Sequence, residues 1–195
     1  MPHSSGYLLL EDGLRFDGDL CAAAGYAVGE VVFTTGMSGY QESMTDPSFA
    51  GQLIVYAYPP IGNYGASSHA MESERPWARA AIMREACNSE DAPSAERGWL
   101  DWLTDCGVQA ITGIDTRALV THIRDAGAMR GGVFPAEVAE DEARRLIGAE
   151  PPMAALTPWP GSRRRSCRCA GRRRRSAVRR RRGRSSTPGN RTSRW

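Results

Sequence analysis

The stretch GEVVFTTGMSGYQESMTDPSFAGQ, Gly29–Gln52, joins two kinds of local signal. Its first part, Gly29–Thr35, is a β-branched and aromatic run of strand length. Gly36–Gly39 breaks that run, because glycine interrupts an extended ladder. Further on, Thr45-Asp46-Pro47-Ser48 is turn chemistry: Asp and Ser bond nearby backbone, and Pro presets φ. A second apolar strand, LIVYAY at Leu53–Tyr58, follows at once and is stopped by Pro59-Pro60.

Working outward, Tyr7–Gly18 reads as a hairpin. Tyr7–Leu10 is apolar, Glu11-Asp12-Gly13 is a turn, and Leu14–Asp17 alternates. Downstream, Ile61–Gly65 (IGNYG) is a loop in which Gly and Asn relieve the backbone where φ must be positive. Trp77–Ala86 is ambiguous: its alanines favour helix by propensity, its length suits a buried strand, and periodicity does not arbitrate. The spacing predicts a helix over 94–106, with Ser94 as N-cap, Trp99, Trp102, Leu103 and Cys106 on one face, and Gly107 just past its end. Val108–Ile114 is a strand. Asp115 caps a helix through Ala126, with Ala118, Leu119, Val120 and Ile123 as its apolar stripe and Gly127 as its stop. A charged helix is expected over Glu137–Ile147. Interleaved strands and helices without an internal repeat give a mixed α/β class, a mixed sheet with helices packed on it.

Charge divides the chain. All basic residues are Arg; residues 1–160 hold 10 of them against 22 acids, a net −12, while residues 161–195 hold 15 Arg and no acid, a net +15. The overall +3 therefore describes neither part. The acidic part suits protein partners and argues against nucleic-acid binding by the folded region. No apolar run approaches the ~18 residues of a membrane span, and the N-terminus has no basic region before its three leucines. Five scattered cysteines do not suggest a secreted disulfide scaffold, so a cytoplasmic protein is expected.

Four segments carry a family resemblance: LLLEDGLRFDG (Leu8–Gly18), Gly29–Gln52, YPPIGNYG (Tyr58–Gly65) and GIDTRALVTHIRDAGAMRGGVF (Gly113–Phe134). In order and spacing they resemble the N-terminal domain of the small subunit of glutamine-dependent carbamoyl phosphate synthetase, over roughly residues 7–153. The resemblance implies a layered β/β/α domain over residues 1–153 that packs on a large, ATP-using subunit. It implies that Trp77–Ala86 is a strand. In the family a second domain hydrolyses glutamine and passes ammonia through a tunnel to the large subunit. There ATP, Mg and bicarbonate complete carbamoyl phosphate for pyrimidine and arginine synthesis. The resemblance also gives Ser48 a role, reaching across the domain cleft to the bound glutamine. From residue types alone, Asp-Pro-Ser is more simply a turn whose Ser bonds its own backbone.

A glutaminase needs a thiolate on a glycine-flanked strand-to-helix turn, a His base and a carboxylate to orient it. Cys21, Cys87 and Cys106 lack such flanks, and none of His3, His69 and His122 lies in a His-x-Glu pair. The glutaminase domain is thus expected to be absent, and this chain alone to be inactive. Asp115 is read as a helix cap, His122 as a surface or satisfied His, Trp99 and Trp102 as core. Ile61–Gly65 lacks the Lys and Ser/Thr of a phosphate loop, so no nucleotide site, metal or cofactor is assigned to this chain.

Residues 154–195 are read as an Arg-rich disordered tail, too polar to bury a core. Cys167-x-Cys169 offers two thiols without a second pair, too few for a tetrahedral metal site. Arg without Lys, with abundant Gly, Ser, Ala and Pro, is the composition of a GC-rich gene read out of frame, so a frameshift is the expected origin. Two other functions stay open: a stand-alone module that binds the large subunit, and a nucleic-acid-associated protein acting through the tail's phosphate affinity.

Overall fold

The computed structural model describes residues 4–151. The expected tail, its possible frameshift and its boundary at 153 lie outside the described residues.

The opening hairpin forms as expected, from β1 (Ser4–Leu10) and β2 (Arg15–Leu20). Leu10 and Gly13 close the turn through backbone hydrogen bonds, and Gly13 takes φ 94°. The run that begins Gly29–Gln52 gives β3 (Ala27–Thr34). After the glycine break comes a short helix, α1 (Tyr40–Thr45), then a single 3-10 turn (Pro47–Phe49), then β4 (Leu53–Tyr56). Trp77–Ala86 is strand rather than helix, in two pieces: β6 (Ala80–Ile82) and β7 (Glu85–Ala86). β7 pairs with β5 (Pro60–Ile61) in a separate two-stranded sheet. The remaining elements are α2 (Trp99–Asp105), β8 (Gln109–Thr112), α3 (Thr116–Ala126), β9 (Met129–Pro135) and α4 (Glu140–Ala149).

Seven strands close into a barrel in the order β1-β2-β8-β6-β4-β3-β9. The strands β3, β4, β6 and β8 run parallel, and the other four pairings are antiparallel. Parallel neighbours require crossovers, and the helical segments α1 and α2 fall in two of them. The mixed α/β class therefore holds, with the sheet closed on itself.

Side-chain alternation sorts the core into three parts. Leu8, Leu10, Leu20, Val31, Leu53, Val55, Ala80, Ile82, Ile111 and Val133 share the barrel interior. Leu119 and Ile123 of α3 join them, so this helix covers the end at which the parallel strands finish. On the outside of β4, β6 and β8, the small Ala81 and Ala110 leave room for Tyr40, Trp99 and Trp102. On the outside of β1, β3 and β9, Tyr7, Leu9, Val28 and Phe134 receive Ala143 and Ile147 of α4.

Three expectations are corrected. Ser94 does not cap a helix: α2 starts at Trp99, because the backbone of Glu96 and Arg97 is committed to pairing with Ala66. Asn88 supplies the cap instead, its Oδ1 accepting from Leu100 N–H at 2.8 Å. The final helix starts at Glu140 rather than Glu137, since Pro135–Val138 form a turn and Tyr7 donates to the Val138 carbonyl at 2.7 Å. On α3, Asp115 caps as expected, accepting from Ala118 N–H at 3.0 Å, but Ala118 itself faces outward and Thr116 takes a buried place.

Candidate functional site

Ser48 lies on the exposed corner between α1 and β4. Two residues earlier, the Asp46 carboxylate accepts the Ser48 backbone N–H at 2.8 Å. Phe49 N–H then donates to the Asp46 carbonyl, Ala50 to Pro47 and Gln52 to Phe49, so successive turns hold the corner. The capping that residue chemistry assigned to Ser48 is done by Asp46. The Ser48 hydroxyl has no hydrogen-bond partner among the described residues and faces solvent.

The ground beneath this corner is rigid. α1 lacks a side-chain cap of its own residues. The Tyr64 hydroxyl fills that role, accepting Gly39 N–H at 2.7 Å and Tyr40 N–H at 3.4 Å. Tyr40 stacks on Tyr64 with centroids 4.1 Å apart and donates to the Gly65 carbonyl at 2.9 Å. Tyr56 donates to the Tyr40 carbonyl at 2.9 Å. Burial pushes the phenols of Tyr40, Tyr56 and Tyr64 upward, so all three stay neutral hydrogen-bonding groups at physiological pH. Buried Gln41 bonds Ser67 both ways, donating to its carbonyl at 2.8 Å and accepting its N–H at 2.9 Å. Thr45 accepts Glu72 N–H, and Met44 accepts Trp77 N–H. Thus α1 delivers Ser48 from a fixed base. Asp46 was legible as turn chemistry; the contribution of Tyr64, distant in sequence, left no local signal.

The other candidates do not join this corner. Cys21 is buried, and desolvation, with Asp19 adding to it, pushes its thiol up to about 12, the reverse of an activated nucleophile. His69 is exposed. His122 pairs with Asp12 at 2.5 Å, tying α3 to the β1–β2 turn. Trp99 and Trp102 are buried and stacked, with centroids 5.3 Å apart. An open depression along α3, lined by Asp115, Arg117, Thr121, His122 and Asp125, belongs to that helix alone. Among the described residues, no three His, Cys, Asp or Glu converge as a metal site, and no helix is long and apolar enough to cross a membrane.

The described residues form a closed mixed barrel whose Asp-Pro-Ser corner carries an exposed serine. The sequence profile of the carbamoyl-phosphate synthase small chain, CPSase domain, matches residues 8–133, and the chain belongs to this family. Among curated relatives, the carbamoyl phosphate synthase small chain of Caldanaerobacter subterraneus subsp. tengcongensis is 48% identical over 126 residues, covering 65% of this chain and 35% of that protein. That of Symbiobacterium thermophilum is 43% identical over 150 residues, covering 77% and 39%. That of Nitratidesulfovibrio vulgaris is 42% identical over 168 residues, covering 80% and 45%. The chain thus spans less than half the length of these relatives.

Proposed function

We propose that this chain is the N-terminal part of the small subunit of a glutamine-hydrolysing carbamoyl phosphate synthetase. Its task is to dock the glutaminase onto the large subunit and to shape the glutamine cleft. The barrel walls with their outer helices are, on this reading, the family's layered β/β/α unit. Family membership supports the assignment, and the observation that carries the site is the exposed Ser48 hydroxyl, unpartnered among the described residues, on a corner that Asp46 already caps. Such a hydroxyl can donate to a substrate carboxylate or accept from an ammonium without breaking an internal bond. The domain makes no bonds itself. It positions a partner that hydrolyses glutamine, while ATP, Mg and bicarbonate meet the ammonia on the large subunit. The chain alone is then inactive toward glutamine, with Cys21 unable to serve as a thiolate. We place the assembly in the cytoplasm, serving pyrimidine and arginine synthesis.

The test is S48A in an intact small subunit that carries this domain ahead of its glutaminase, assembled with the large subunit. A hydrogen bond to a charged group contributes about 1.5–3 kcal/mol, so KM for glutamine rises about ten-fold or more. Synthesis driven by added ammonia stays unchanged. An unchanged KM for glutamine would remove Ser48 from the site.

A further inference from the structure

One side chain ties the Ser48 corner to Glu150, at the end of α4. Arg79 stands just before β6, and its backbone N–H donates to the Gln52 carbonyl at 2.8 Å. Its guanidinium lies beside Gly51, 3.7–3.9 Å from where a Cβ on that glycine would stand. Gly51 and Gln52 end the run of turns that begins at Asp46, and Gly51 N–H donates to Trp77, two residues before Arg79. The corner and Arg79 are therefore one hydrogen-bonded unit.

The same guanidinium reaches the other way. Arg79 Nη1 donates to the Val28 carbonyl at 2.5 Å and to Glu150 Oε1 at 2.7 Å. Glu150 follows the last turn of α4 and immediately precedes Pro151. A second arginine holds its backbone: Arg130 Nη1 donates to the Glu150 carbonyl at 3.0 Å, while Arg130 Nε donates to Glu11 at 2.8 Å. Four separate parts of the barrel thus meet around Glu150: the β1–β2 turn, β3, the start of β6, and β9.

We propose that Arg79 is a positioning residue, which fixes Glu150, at the end of α4, relative to the serine at position 48. Its purpose rests on the function proposed above: a following glutaminase domain must be held where Ser48 can reach its glutamine. The geometry itself can be tested without that reading. Arg79 is 41% exposed and Glu150 19%, so the pair adds little to global stability, yet Nη1 alone joins two acceptors that no other side chain joins among the described residues.

The experiment measures the separation of positions 48 and 151 in the full chain. Spin labels on p-acetylphenylalanine at both positions leave the native cysteines untouched, and double electron–electron resonance gives the distance distribution. A single narrow distribution is expected, broadened at least two-fold by R79A and by E150A, and no further by the two together. R79K, which keeps a cation in reach of Glu150, narrows it again. Thermal unfolding of the same variants stays within a few degrees. Unchanged widths in R79A overturn the proposal; a lowered melting temperature with unchanged widths makes Arg79 a merely stabilising residue and overturns it too. Narrow, Arg79-dependent widths alongside an S48A that leaves KM unaltered would keep the clamp and sink the glutamine reading instead.

Discussion

At the level of single residues, Asp46 and Ser48 divide one corner between them. Asp46 caps the 3-10 turn, and Ser48 is exposed, its hydroxyl without a partner among the described residues. In urea denaturation of the full chain, D46A is expected to cost about 1 kcal/mol, the usual loss of an N-cap. S48A is expected to stay within about 0.5 kcal/mol, as for an exposed side chain without contacts. Asp12 sets an acid response. Partial burial opposes its charge, but the Leu14 N–H and the His122 ring outweigh that and hold its carboxyl below the ordinary value. A depressed carboxyl contributes stability above its unfolded pKa of about 3.9 and loses it as pH falls through the lower folded value. D12N should therefore flatten the loss of stability below about pH 4, as followed by denaturation at stepped pH; an unchanged acid limb would show that the Asp12–His122 pair is inert. Cys21 gives a third reading. With its thiol near 12, only about one molecule in ten thousand carries the thiolate at pH 8, so alkylation of Cys21 should wait for unfolding. The Asp-Pro-Ser turn was legible because Asx capping is local chemistry. Which of its two side chains did the capping was not, because both types can.

Among the elements, the strongly patterned segments were readable: the hairpin, β3, β4 and the Asp115-capped α3 follow from alternation, apolar runs and a cap. β9 was not picked out from residue pattern, because Gly131 and Gly132 weaken the signal in its middle. The structure explains those glycines: a Cβ on Gly131 would stand 2.7 Å from Val31, and one on Gly132 would stand 2.4 Å from the Phe134 ring. The start of α2 was misjudged because the competing pairing of residues 96–97 with Ala66 is a tertiary event. Two glycine substitutions separate these constraints. Gly62 sits at φ 96°, and a Cβ there would fall 2.2 Å from the Cys87 carbonyl and 2.7 Å from Trp99. G62A should cost about 3 kcal/mol or more, or prevent soluble folding. Gly148 lies within α4 with open space around it, so G148A should stabilise by about 0.5–1 kcal/mol through helix propensity. Equal effects in equilibrium unfolding would contradict the packing described for both sites.

For the whole molecule, barrel closure depends on β9 bridging β1 and β3, strands about a hundred or more positions away in sequence. Local pattern holds no record of that pairing; the α/β class was legible, and the closed topology was not. The family was legible through four motif-bearing segments rather than through local residue pattern. The described residues are strongly acidic and carry the family's CPSase domain, which fits a unit built to meet another protein. The central claim is therefore docking. Its most direct measurement is a calorimetric titration of the full chain into purified carbamoyl phosphate synthetase large subunit, at salt high enough to suppress loose electrostatic association. The account predicts a saturable one-to-one complex that persists on deletion of residues 161–195. Absence of binding, or binding that disappears with those residues, would contradict it.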